Sequence, residues 1–379
     1  MSGLDPADDE RAARALLSRI AEPGEVALSR DVAARGAAAV VTDIAAGSRW
    51  LPNAVHWQAR IATADPARDL DAAARAGSRF VIPGDEEWPP ALDDLGSLDD
   101  EYAAVPFGLW VRGALDLRTA VHRSVAIVGA RASTSYGEYV AGELGIGVVE
   151  AGVAVVSGGA YGIDAAAHRG AQHAAGVTVA VLACGVDVAY PRGNEALLAR
   201  IAENGLIVSE WPPGCAPMRH RFLVRNRVIA ALTTGTVVVE AARRSGALST
   251  ANRAADLSRL VMAVPGPVTS ALSAGTNELL KRPDVCCVTG ASDVLELVGA
   301  MGSHLREPPL PLPDRRDELS PLVRKVLDAV PARRPAGPAS IARVAGVEQQ
   351  AVARALGRLC ADGFVERVDA GWRLARDER

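Results

Sequence analysis

The chain has 379 residues, 49% of them hydrophobic and 23% charged, the profile of an ordinary globular protein with room for two or three domains. A formal net charge of −4 excludes a globally basic polymer binder, yet the charge is uneven: residues 1–105 hold 10 basic against 19 acidic side chains, and residues 315–379 hold 13 against 9. Five scattered cysteines without zinc-ligand spacing, an acidic N-terminus and the lack of a membrane-length apolar run predict a reduced, cytoplasmic protein, off the membrane, with no metal or cofactor.

In chain order, residues 8–20, 29–47 and the segment 65–77 read as short helices with acidic first turns, separated near Pro23-Gly24 and Gly47-Ser48. They predict an N-terminal helical domain over 1–80, of the SAM or helix-hairpin type. Residues 80–120, rich in Pro, Asp and Trp, read as a connector packed onto the domain behind it. From 124 the rhythm changes. Apolar, β-branched runs begin at 124, 153, 178, 206, 236 and 260, most of them separated by helical patterns. That alternation predicts an α/β domain over 81–300, a Rossmann-like doubly wound parallel sheet with its ligand at the carboxyl ends of the strands. A proline-rich linker is expected over 301–319. Helix, helix-turn-helix and hairpin then predict a winged helix over 320–379.

The loops after the strands carry the chemistry. GARASTSYG (129–137) and SGGAYGIDAAAHRGA (157–171) put small residues before a helix start, where backbone can approach an anion. Neither loop has G-x-G-x-x-G, and no G-x-x-x-x-G-K-[ST] occurs anywhere, which argues against nicotinamide chemistry and nucleotide hydrolysis. Arg131, just past a strand, offers a fixed fork to phosphate or forms a structural ion pair.

These stretches, with VLACGVDVAYPRGN (181–194), LIVSEWPPG (206–214), RFLVRNRVIAAL (221–232), VVVEAARRSGALSTANRA (237–254) and AVPGPVTSALSAGTNELL (263–280), resemble the DprA/Smf family of bacterial DNA-processing proteins. The resemblance covers about 170 residues in the right order. It implies a dimeric single-stranded DNA binder that hands DNA to the recombinase RecA in natural transformation or recombination, without catalysis. The arginine of the family's G-[SA]-R element matches Arg131, its Ser-Gly-Gly turn matches Ser157, Gly158 and Gly159, and F-P-x-R-N-R matches 222–227 with Leu223 in place of proline.

The residues of 221–232 agree independently. Val224, Val228, Ile229 and Leu232 share a helical face, and Arg225, Asn226 and Arg227 are expected in the first turn. Cations there oppose the helix dipole by about a few tenths of a kcal/mol, so an anionic ligand is the better account, and DNA phosphates fit it. Phe222 is either a base-stacking aromatic or a core residue. Arg169 is placed to reach a phosphate, while His168 reads as packed or capping and Asp164 as capping. Glu240 is expected to orient Arg225 or Arg227, the alternative being a general base. Ser245, Gly246 and Thr250 form a hydroxyl-rich helix start suited to phosphate or simple capping. Asp187 and Tyr190 read as loop-shaping. In the winged helix, Arg354 and Arg358 on 348–361 face either DNA backbone or a protein.

Two other functions compete. A nucleotide phosphoribohydrolase of the Lonely Guy type would use a similar sheet, but TTGTVVVEAA (233–242) lacks that group's P-G-G. A duplex-DNA regulator acting through the winged helix leaves the middle domain without a role.

Overall fold

A computed structural model describes residues 6–47, 53–98, 104–299 and 315–375. The chain divides into two compact units, residues 1–306 and 307–379. Most of the expected linker lies outside the described residues.

The first unit opens with α1 (Pro6–Ile20), α2 (Val26–Arg35), α3 (Ala37–Ala45), α4 (Ala54–Ile61) and α5 (Pro66–Arg75). The expected 29–47 helix is two helices, broken at Gly36, whose φ of 81° a side chain would resist. Leu17, Ile20, Leu28, Val40, Ile44 and Trp57 pack into a small core of their own. Ion pairs bind this region outward: Arg11 of α1 to Asp85 at 2.8 Å, and Glu22, in the turn after α1, to Arg221 at 2.6 Å.

Nine strands form one sheet: β1 (Ser78–Val81), β2 (Leu109–Arg112), β3 (Ser124–Val128), β4 (Ala154–Ser157), β5 (Thr178–Leu182), β6 (Leu206–Ser209), β7 (Gly235–Val238), β8 (Leu260–Ala263) and β9 (Val285–Cys287), in the order β1-β2-β6-β5-β4-β3-β7-β8-β9. β3 to β9 are parallel, and the strands β3–β7 are buried throughout, as strands covered on both faces must be. The expected connector is more than packing. β1 and β2 extend the sheet antiparallel along the β6 edge, with Trp110 opposite Ser209.

Helices α6 (Leu117–Val121), α7 (Ser135–Glu150), α8 (Ile163–His173), α9 (Glu195–Asn204), α10 (Arg221–Ala231), α11 (Gly246–Asp256), α12 (Ala274–Leu279) and α13 (Ala291–Val298) complete the unit. On one face Val228 and Ile229 of α10, with Leu232 just past its end, join Ala247, Ala251 and Ala254 of α11 over the sheet. On the other, Leu144 and Val148 of α7 meet Ile163 and Ala167 of α8 and Val294 of α13. α7 and α8 approach so closely that a Cβ on Gly145 would strike the Ala167 carbonyl. The strand order reverses at β3, between β4 and β7, and such a switch point opens a crevice at the carboxyl ends.

The second unit holds α14 (Pro321–Asp328), α15 (Pro338–Ala345), α16 (Gln349–Ala361) and the hairpin β10 (Val365–Val368) and β11 (Gly371–Leu374). Gly346 ends α15 in the left-handed conformation, at φ 58° and ψ 43°. Val352, Leu356 and Leu359 of α16 pack on Val323, Val326 and Ile341, giving the expected winged helix. Arg354 and Arg358 lie exposed on the other side of α16.

Candidate nucleic-acid interface

A cleft of 790 Å³ opens at the switch point, walled by the end of β3, the start of α10 and the first turns of α11. The turn after β3 is fixed from both sides. Ala130 N–H donates to the Glu240 carbonyl at 2.7 Å, and Ile163 N–H donates to the Ala130 carbonyl at 3.2 Å. This holds Arg131 at the mouth, exposed, with its guanidinium carbon 4.4 Å from the centroid of Phe222. Tyr190 leans on the same ring, centroids 5.6 Å apart and planes at 46°. An arginine and two aromatics at one mouth can take a phosphate and a base together.

The run RFLVRNRVIAAL is the helix α10 and its cap. It starts at Arg221, so Arg225 and Arg227 stand in the second turn and not the first. Their side chains part company. Arg225 is buried at the cleft floor, where Nη1 donates to the Gly158 carbonyl at 2.8 Å and also to the Val181 carbonyl. Burial lowers its pKa to about 10, Asp164 pulls the other way, and Arg131 adds repulsion. Asn226 joins helices: Nδ2 donates to the Gly246 carbonyl at 3.1 Å, and Oδ1 accepts from Arg225 Nε at 3.3 Å. Arg227, 1% exposed, turns away from the cleft and donates to Glu210 at 2.6 Å. Residues two apart on a helix sit about 200° apart, so the sequence already held the signal that these arginines cannot share one ligand. Leu223 replaces the proline of the family pattern without disturbing the helix, since its N–H donates to the His220 carbonyl at 3.0 Å.

The other expected site residues divide. Ser245, Gly246 and Thr250 line the cleft, with Ser245 capping α11 through an Ala247 N–H bond of 3.3 Å. Ser157, Gly158 and Gly159 lie behind the floor: Ser157 Oγ donates to the Ile127 carbonyl at 2.6 Å, and Gly158 supports Arg225. Arg169 is on the surface of α8, 4.0 Å from Glu138, and does not line the cleft. Glu240 orients neither arginine; it accepts from Thr134 N–H at 2.9 Å and Thr134 Oγ1 at 2.6 Å, fixing the start of α7. Asp164 accepts from Gly158 N–H at 3.1 Å, and burial raises its pKa despite the charge of Arg225. His168 is packed, Nδ1 at 2.7 Å from Thr178 Oγ1. Asp187 shapes its loop by accepting from Gly214 N–H at 2.9 Å.

Three residues that line the cleft were not among those singled out from the sequence for ligand contact. Arg219 and Arg244 are exposed on the rim, and Tyr190 does more than shape a loop. Rim arginines in loops carry no periodic signal, although Arg243-Arg244 directly precedes the helix start already singled out. Four arginines thus face the cleft, against one lining carboxylate, Asp164. The amino end of α11 adds to the positive field. Among the described residues no group of three or more His, Cys, Asp or Glu could hold a metal, and no helix is long and apolar enough to cross a membrane.

The family model described as DNA recombination-mediator protein A matches residues 79–299, from β1 to beyond α13. A protein of Mycobacterium tuberculosis bearing the DprA name is 43% identical over 373 residues, covering 97% of this chain and 95% of its own. The X-ray structure of DNA processing protein A from Streptococcus pneumoniae aligns with a TM-score of 0.56 at 33% identity, covering 65% of this chain and 82% of that one. The Helicobacter pylori DNA processing protein A, described for its unique single-stranded DNA binding mode, aligns with a TM-score of 0.50 at 28% identity over 57% of this chain and 94% of that one. The chain therefore belongs to the DNA recombination-mediator protein A family, whose relatives carry the names DprA and Smf.

Proposed function

We propose that this chain binds single-stranded DNA in the switch-point cleft as a carrier and not a catalyst. The observation that carries this reading is the mouth itself: Arg131 stacked on Phe222 at 4.4 Å, beside Tyr190 and above the buried Arg225. Cations track a phosphate backbone, and aromatics stack bases without regard to their identity. The Helicobacter pylori relative, described by its single-stranded DNA binding, supports the same ligand. Family membership supports the wider role: a cytoplasmic homodimer that delivers strands to a RecA recombinase in transformation or recombination. In the phosphoribohydrolase alternative, Glu240 would have to act on substrate, but the residue is 1% exposed and its carboxylate is engaged by Thr134.

Fluorescence anisotropy on oligo-dT, the matching duplex and AMP, across a salt series, tests the proposal. The single strand should bind best, and affinity should fall as salt rises. Arg131→Ala with Arg244→Ala should weaken binding by at least about tenfold, the scale of one lost charged hydrogen bond. Unchanged affinity in that folded variant would sink the site, and release of free base from AMP would favour the enzyme.

A further inference from the structure

The place where a base would stack on Phe222 is already taken. The guanidinium carbon of Arg131 lies over the ring at 4.4 Å, within cation–π reach and in the space that a stacked base would fill. Arg131 has no carboxylate partner among the described residues, and its neighbour Arg225 repels it. Only the ring holds it, and an exposed cation–π contact is weak. A phosphate offers the guanidinium two charged acceptors and a stronger attraction. Base and guanidinium compete for one ring, whereas phosphate and ring compete for one guanidinium.

We infer that Arg131 sets the specificity of the cleft as a cap on Phe222 that an anion lifts, so that the site admits a base carried on a phosphate backbone and discriminates against uncharged aromatic ligands. The inference rests on the single-stranded DNA reading. It assigns phosphate capture and base stacking to one linked step: the phosphate draws Arg131 off the ring, and the uncovered ring receives the base. Free bases, nucleosides and planar hydrophobic molecules have nothing with which to displace the cap.

The test compares oligo-dT with its methylphosphonate counterpart, which has the same bases on an uncharged backbone. Arg131→Ala should weaken phosphodiester oligo-dT by about tenfold. The same variant should bind the uncharged strand about two- to fivefold more tightly than the unsubstituted protein, because the cap is gone. That gain should vanish in Arg131→Ala with Phe222→Ala. Arg131→Gln, which keeps a planar head over the ring without the charge, should lose phosphodiester binding and leave the uncharged strand at its original affinity. A loss of affinity for both strands in Arg131→Ala, or no change for the uncharged one, overturns the cap. Failure of the unsubstituted protein to bind phosphodiester oligo-dT at all overturns the parent reading instead.

Discussion

Arg227 donates from Nη2 to Oε1 of Glu210 at 2.6 Å, with the two side chains 1% and 4% exposed. Burial raises the Glu210 pKa, and the charge of Arg227 works against that rise. Removing one partner of a buried pair leaves an uncompensated charge, so Arg227→Ala should cost about 3–5 kcal/mol in denaturant unfolding. Single-stranded DNA affinity of the fraction that remains folded should not change. Arg225→Ala should do the reverse in emphasis, with a clear loss of affinity.

Gly158→Ala tests the floor of the cleft. A Cβ there would meet the guanidinium of Arg225, 2.6 Å from its Cζ. The end of that side chain is pinned by the Gly158 and Val181 carbonyls and cannot easily give way. Overpacking of this kind costs about 1–3 kcal/mol. A lowered thermal midpoint together with weaker oligo-dT binding is expected, and unchanged values for both would refute the close approach.

Salt dependence separates the cleft arginines from the structural ones. Each phosphate contact to a single strand contributes about 0.7 to the slope of log affinity against log salt. Arg244→Ala and Arg219→Ala should each flatten that slope by about this amount in an anisotropy titration. Arg169→Ala and Arg227→Ala, outside the cleft, should leave it as it was.

His168 predicts an acid sensitivity. Thr178 Oγ1 donates to the Val155 carbonyl at 2.9 Å, so it accepts from Nδ1–H of the imidazole, and Nε2 is buried without a partner among the described residues. Burial, with Arg225 and Arg169 adding to it, depresses the pKa to about 3 from 6.5. The unfolded chain then binds this proton more readily than the folded one, so stability rises with pH between the two values. Stability is therefore lost as pH falls from about 6.5 towards 3. His168→Gln should show a shallower decline across that window in urea unfolding, and an identical decline would exclude the imidazole as its source.

The sheet was legible because its parallel strands are buried on both faces and read as runs of Val, Ile and Ala. The run SVAIV gives β3 directly, and five further runs give β4 to β8. β1, β2 and β9 were not legible. They are three or four residues long, and the first two sit in a stretch whose Pro and Asp content reads as loop. Helix α4 and the break at Gly36 were lost in a uniformly Ala-rich background. The structure brings Arg131, Phe222 and Arg225 to one cleft; the sequence pointed to the first by its place past a strand and to the other two by the family's motif. The fate of Arg227 depends on Glu210, 17 residues away on another element, a pairing that no local pattern displays.

The contact between Glu22 and Arg221 gives the head of the chain a part in the site. Glu22 accepts from Arg221 Nε at 3.0 Å and from Trp211 Nε1 at 3.2 Å, clamping the first residue of α10 from the helical region. Residues 79–299, the stretch matched to the family, include every side chain of the cleft but not Glu22. The shared portion holds the whole cleft, while one contact that fixes the start of its helix α10 comes from a segment outside the match.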